Sequence, residues 1–321
     1  MTAELITVVI PTHNRVGYLR EAVASVMAQR LPPASVLIVN DASSDSTGEW
    51  LETLRNPLIR SWRLEPGQGG SAARNIGLGH VETPLVLFLD DDDLLRPDAL
   101  ATLAAAMTAN PTAAGAAGAF ARFGASSGPV RNLHPRVRLN RPVWRELLFG
   151  WNMPPSALLW RTSVVRELRG WDEALRRCED RDINLRAYPR PFALVPNLVM
   201  DYRVHPAQVP GADHAHVNRV VLARFVESLR GPDRRVGEAI LAVREDFDAA
   251  VERYRQGDYA SAIPVFRRAI TGGTTFLSSP VLGPWMVALF LKASGMRRLP
   301  PGWGPAAQGL ARRLTSRGHG A

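Results

Sequence analysis

The chain has 321 residues, of which 46% are hydrophobic, 21% charged and 7% aromatic. That is enough apolar material for a sizeable core, which excludes a wholly disordered chain. Its single cysteine, Cys178, excludes an internal disulfide and any multi-thiolate zinc or iron–sulfur site. The net charge of +9 sits at the C-terminal end, because Asp258 is the last acid and Arg267, Arg268, Lys292, Arg297, Arg298, Arg312, Arg313 and Arg317 follow it.

Met1–Asn14 lacks the basic segment and apolar run of a signal peptide. Leu5–Ile10 predicts a first buried strand. In Val16–Gln29, Leu19, Ala22, Val23, Val26 and Met27 share one helical face. Val36–Val39 predicts a second strand; Ser43–Thr47 offers N-caps for a helix marked by Trp50, Leu51 and Leu54. Ile59–Leu64 reads as a third strand, Ser71–Leu78 as a helix and Leu85–Leu89 as a fourth strand. Pro97 suits the first turn of an alanine-rich helix running to Ala109. Alternating helices and apolar strands predict an α/β fold, with a mostly parallel Rossmann-like sheet flanked by helices.

Ligands of such sheets bind beyond the carboxyl ends of the strands. Thr12-His13-Asn14, Asn40-Asp41 and Asp90–Asp93 all follow strands, so three strands deliver polar groups to one edge. The acids of Asp90–Asp93, held close by a rigid strand end, repel one another unless a hard divalent cation with oxygen ligands neutralises them.

Further along, strands are expected near Ala117–Phe123 and at Ala157–Trp160, with a helix around Val143–Phe149. A helix at Thr162–Leu168 closes on Gly170, and another begins after Cys178. Two apolar runs, Phe192–Val195 and Leu198–Tyr202, lead into His205. A domain of residues 1–210 is expected, with halves meeting near 110, followed by a helical region of 211–321. Ala249–Ile270 resembles one tetratricopeptide-like hairpin, a single copy that reads better as an ordinary helical appendage. Val281–Leu291 falls short of the roughly 20 apolar residues a spanning helix needs. Basic residues beside Phe276, Leu277, Trp285, Phe290, Leu291 and Trp303 suit either an anionic lipid surface or a solvated basic end. The expected location is therefore cytoplasmic, with peripheral attachment to the inner membrane face as the alternative to a free protein; nucleic acid is not an expected partner.

Four segments occur in order: Val8–Arg15 (VVIPTHNR), Val39–Asp45 (VNDASSD), Gly70–Gly77 (GSAARNIG) and Phe88–Asp93 (FLDDDD). Pro155-Ser156-Ala157, Gly170-Trp171-Asp172-Glu173, Glu179-Asp180 and Tyr202-Arg203-Val204-His205 follow. Over residues 5–206 this set resembles the family-2 inverting glycosyltransferases of GT-A fold. The resemblance implies that Pro11, Thr12, Asn14, Asp41 and Arg74 contact a nucleoside diphosphate-sugar. Asp90, Asp91 and Asp92 match the family's Asp-x-Asp motif, with Asp90 and Asp91 on the nucleotide-sugar and Asp92 on Mn²⁺ or Mg²⁺. His205 matches a further metal ligand, and Asp180 the general base. The implied reaction moves a sugar, expected from a UDP-sugar, to a hydroxyl acceptor such as a lipid-linked or envelope glycan.

The sequence departs from the family pattern at Arg181, where relatives carry an aromatic, at Asn40, where aspartate is frequent, and at Pro206-Ala207-Gln208-Val209 after the histidine. Simpler roles compete with the implied ones: Asp180 as a helix cap, His205 as a packed histidine, Asp41 in an Asx-turn, Arg74 in a structural ion pair. Gly67–Ala72 fits G-x-G-x-x-A, but it follows the third strand rather than the first, which excludes a dinucleotide fold. Nucleotidyl transfer lacks its glycine-rich basic loop. A catalytically silent nucleotide-sugar-binding scaffold acting through the helical region is the remaining alternative.

Overall fold

The computed structural model describes residues 6–125, 128–130, 143–148, 152–208, 213–256, 258, 260–261 and 263–264. Two compact units are present: Met1–Trp144 with Asn152–Val221, and Arg145–Trp151 with Leu222 onward. The sequence places a boundary near residue 210; the contacts place it between Val221 and Leu222, and assign Arg145–Trp151 to the second unit.

In the first unit, strands β1 (Ile6–Thr12), β2 (Ser35–Asp41), β3 (Ile59–Leu64) and β4 (Leu85–Phe88) alternate with helices α1 (Val16–Met27), α2 (Thr47–Thr53) and α3 (Gly70–Gly79). There follow β5 (Leu94–Leu95), α4 (Ala99–Ala109), β6 (Gly115–Gly124), β7 (Gly128–Val130), α5 (Trp144–Leu148), β8 (Leu158–Arg161), α6 (Thr162–Glu167), α7 (Glu179–Arg186) and β9 (Phe192–Val204). Among the described residues the strands form one sheet in the order β3-β2-β1-β4-β8-β6-β9-β5, with β7 on β6.

The first four strands pair in parallel, as the alternation with helices predicts. Beyond β4 the sheet is mixed: β8 runs antiparallel between β4 and β6, while β6 and β9 are parallel. β5 is a two-residue strand with no periodicity to announce it. The two apolar runs near residue 200 are one strand, carried past Pro196-Asn197 by register shifts around Gly118. Pro97 stands outside α4, whose N-cap is Asp98. Pro11, Thr12, Asn40 and Asp41 belong to the strands themselves, with Thr12 in register with Asn40.

Every residue of β1 is buried, as are all four of β4, and both faces of this region are covered. Leu19, Ala22, Val23 and Val26 of α1 supply one side of the core. On α3, a Cβ at Gly77 would lie 2.4 Å from Val9 Cγ1, so only glycine lets that helix approach β1 so closely. The same approach brings Arg74, one turn earlier, to the end of β4.

In the second unit, α8 (His214–Ser228, entering from the first unit) and α9 (Gly231–Arg255) carry the chain. Leu222, Phe225, Val226, Leu229 and Ile240 are buried, and Arg244 donates to the Leu148 carbonyl at 2.6 Å. α9 covers the start of the expected hairpin at Ala249–Ile270; most of the rest, and the basic, aromatic segment from Phe276 to Arg317, lie outside the described residues. Among the described residues no helix is long and apolar enough to cross a membrane.

Candidate functional site

At the carboxyl ends of β1, β2 and β4 lies a cavity of about 330 Å³. Pro11, Thr12, Asp41, Arg74, Asp90, Asp91 and Asp92 line it, joined by His13, Arg15, Tyr202 and Gln208. Asn14 does not line it. With φ of 54°, its side chain turns back to accept from the amides of Ser44 and Asp45, and so ties the β1 loop to the β2 loop. Asp41 accepts from the amides of Gln68 (2.6 Å) and Gly69 (2.8 Å), which fixes the loop leading into α3.

The acids after β4 are held individually, Asp91, Asp92 and Asp93 buried and Asp90 half-buried. Asp91 accepts from Thr12 Oγ1 at 2.7 Å and from Arg15 at 3.2 Å. Burial outweighs those partners and pushes its carboxyl up to about 6. Asp93, fully buried, accepts from Ser156 Oγ at 2.7 Å and from the Arg203 amide at 3.1 Å; burial, then the charges of Asp90 and Asp92, raise it well above the carboxylate range. Asp90 pairs with Arg74 Nη2 at 2.6 Å, yet burial still raises its carboxyl. Two guanidiniums, Arg15 and Arg74, form ion pairs with this run of acids, so it is short of positive charge.

Asp92 Oδ2 is the meeting point of three side chains: Arg15 Nη1 at 2.9 Å, His205 Nε2 at 3.0 Å and Gln208 Nε2 at 3.2 Å. Two ligands of an octahedral ion, each about 2.1 Å from it and at right angles, stand about 3 Å apart. The Asp92–His205 pair has that separation, which is also that of the hydrogen bond or ion pair between the two side chains. Among the described residues no group of three or more His, Cys, Asp or Glu side chains is arranged to hold an ion.

Arg74 connects the acids to α7. Its Nη1 donates to Glu179 Oε1 at 3.3 Å, and its guanidinium lies 4.7 Å over the Trp171 ring. Next to it, Asn75 accepts from the Trp171 amide at 2.8 Å; Gly170, at φ +69°, has no room for a side chain against that carboxamide. Asp180 accepts at Oδ1 from the Arg181 amide (2.7 Å) and at Oδ2 from Asn152, whose own oxygen accepts from Asn184. Burial raises the Asp180 carboxyl, Arg181 opposing it. Cys178, its thiol pushed up to about 11 chiefly by burial, is unreactive.

The sequence reading did not single out Arg15, Tyr202, Gln208, Asn152 or Asn184. Arg15 and Tyr202 sit inside segments quoted for the resemblance, which was the available signal. Gln208 reaches Asp92 because Pro206–Gln208 forms a 3-10 turn, in which its Oε1 also accepts from the His205 amide at 3.1 Å. Nothing in the spacing of Asn152 and Asn184 marks them.

Residues 7–163 match the sequence profile of Glycosyl transferase family 2. The match spans just under half of the chain, which is similar to this family over that stretch. Among curated relatives, Glycosyltransferase GlyA of Streptococcus pneumoniae is 35% identical over 99 residues, 30% of this chain and 14% of that protein. Poly(ribitol-phosphate) beta-N-acetylglucosaminyltransferase TarS of Staphylococcus aureus is 35% identical over 103 residues, 31% of this chain and 18% of that protein. The matched part of this chain thus spans less than a fifth of either relative. Among solved structures, S. aureus TarS 1-349 in complex with UDP-GlcNAc superposes with a TM-score of 0.62 at 18% identity, covering 97% of this chain and 90% of that one. A mannosyltransferase from Pyrobaculum calidifontis, in complex with GDP-Man and Mn²⁺, gives 0.57 at 18% identity, covering 90% and 86%. These likenesses establish the shared GT-A fold.

Proposed function

We propose that this protein is a metal-dependent, inverting glycosyltransferase that moves a sugar from a nucleoside diphosphate-sugar to a hydroxyl acceptor. The observation that carries the reading is the connection, through the single side chain of Arg74, between the acids that line the cavity and the helix that presents Asp180. Arg74 bonds Asp90 on the donor side and Glu179, the residue before Asp180, on α7. Relatives of this fold bind UDP, UDP-GlcNAc and GDP-Man, which supports a nucleotide-sugar donor.

Thr12, Asp41, Asp90 and Asp91 are the groups for the nucleoside and sugar. Asp92 and His205 are the residues that would hold Mn²⁺ or Mg²⁺, which would supply positive charge to the departing diphosphate. Asp180 takes the proton of the acceptor hydroxyl as that oxygen attacks the anomeric carbon. The bond from that carbon to the diphosphate oxygen breaks, and one displacement inverts the centre. A raised carboxyl pKa suits Asp180 to this task, since a base works best when its pKa lies nearer the working pH. The acceptor is proposed to be a glycan or glycolipid, and the cluster of basic residues after Asp258 supports a peripheral place at an anionic membrane surface.

Thermal unfolding with UDP, GDP, dTDP and CDP, each with and without Mn²⁺, tests the reading. A ligand at 100 times its Kd adds about 2.7 kcal/mol. One nucleotide is expected to raise Tm only with Mn²⁺, and Asp92→Asn is expected to abolish the rise. No shift with any nucleotide overturns the proposal.

A further inference from the structure

Most polar side chains lining the cavity are already committed: Thr12 and Arg15 to Asp91, Arg74 to Asp90 and Glu179, His205 and Gln208 to Asp92. Tyr202 is the exception. It lies on β9, is half-buried and lines the cavity, and its ring packs 5.7 Å from Phe120. Among the described residues its hydroxyl has no hydrogen-bond partner. A phenol held by its ring, with its polar end free in a cavity, is an unused recognition group.

Burial first, and then the charges of Asp93, Asp90, Asp92 and Asp180, push the Tyr202 phenol up to about 12, so it remains a neutral donor at any working pH. A neutral phenol donor suits an uncharged hydroxyl or ring oxygen as its partner. In the sheet order β9 stands on the other side of β4 from β2, so Tyr202 lines the cavity across the Asp90–Asp92 acids from Asp41 and the nucleoside groups, on the side where the sugar of the donor extends. From this placement we infer that Tyr202 is a binding residue for the donor's sugar, hydrogen-bonding it through the phenol hydroxyl. The inference rests on the donor-site reading given above.

Comparing Tyr202→Phe with the wild type for UDP against UDP-GlcNAc, and GDP against GDP-mannose, by titration calorimetry with Mn²⁺ tests it. The substitution keeps the ring on Phe120. For whichever pair the wild type binds, the expected result is unchanged nucleoside diphosphate affinity and about tenfold weaker nucleotide-sugar affinity. Equal weakening of both, or of neither, overturns the inference. Unchanged donor affinity with a raised acceptor KM also overturns it, by moving the hydroxyl to the acceptor. If the wild type binds none of the four, the donor-site reading itself fails and takes this inference with it; a nucleoside diphosphate that binds equally to both proteins keeps the two failures apart.

Discussion

The guanidinium of Arg203 donates from Nε to the main-chain oxygen of Asp92 at 2.9 Å. The same group lies 4.5 Å from the ring centres of both Tyr18 on α1 and Phe123 on β6, and its Nη2 reaches Glu21 at 2.8 Å. Its own amide donates to Asp93. One residue of β9 thus fixes the backbone of the acid loop against α1, and Asp92 points at His205 because that backbone is fixed. Arg203→Ala is expected to cost about 1–3 kcal/mol in urea unfolding and to weaken Mn²⁺-dependent nucleotide binding. Arg203→Lys should recover little, since an ammonium neither stacks between two rings nor keeps the planar fork. A wild-type midpoint for Arg203→Ala would count against the clamp.

Asp180→Asn is expected to reduce transfer by a factor of about 10² to 10⁴ while leaving the nucleotide-induced rise in Tm intact. The base works only when ionised, and burial raises its pKa in the folded protein. kcat/KM should therefore fall as pH drops through a value above the ordinary carboxylate pKa of about 4. An acid limb at or below that value would show that Asp180 is not the titrating base.

Asn152 donates to Asp180 Oδ2, and Asn184 donates to the Asn152 carboxamide oxygen at 3.1 Å and so sets its orientation. A donor to a carboxylate favours the ionised form. Asn152→Ala removes that donor, so the acid limb of kcat/KM should move to higher pH while donor affinity holds. A loss of activity with no change in the pH profile would assign Asn152 to packing alone.

The parallel half of the sheet was legible because all-apolar strands such as Val36–Val39 and a one-faced helix such as α1 carry their period openly. The acids were legible for the same reason: they follow a buried strand, where a solvated turn is the weaker explanation. The antiparallel insertion of β8 and the two-residue β5 were not, because such short segments have no measurable period and their partners are set by tertiary contacts. Asn152 reaches Asp180, 28 positions away, only through the folded loop. Asn14 shows the opposite case, a motif residue whose observed bonds tie two loops together rather than face the cavity.

Asp91 predicts a pH dependence of stability. Its carboxyl stands at about 6 in the fold against the ordinary 3.8. Between these values the native state binds more protons than the unfolded chain, so stability falls as pH rises from about 4 to 6 and is flat above. The contribution is about 3 kcal/mol. Urea unfolding of the metal-free protein should show Asp91→Asn with a shallower decline than wild type across that window. Parallel profiles would mean that Arg15 and Thr12 compensate the buried charge fully.

Arg74 and Asp90 should couple strongly. Arg74 is 6% exposed, and its Nε is buried without a partner, so its two Nη groups carry the whole compensation for its desolvation. Removing it leaves Asp90 and Glu179, both half-buried, without their guanidinium partner. Arg74→Met is therefore expected to cost about 1–3 kcal/mol, whereas replacing both partners with neutral groups of similar shape costs less. In a double-mutant cycle with Asp90→Asn, the coupling should reach about 1 kcal/mol or more. The functional readout separates the two arms of Arg74: with Asp90→Asn the link to Glu179 remains and the position of Asp180 is kept, so donor affinity should fall before kcat does. With Arg74→Met both arms are lost, and kcat should fall as well. Additive stabilities, with kcat unchanged in Arg74→Met, would break the proposed connection between the donor acids and the base.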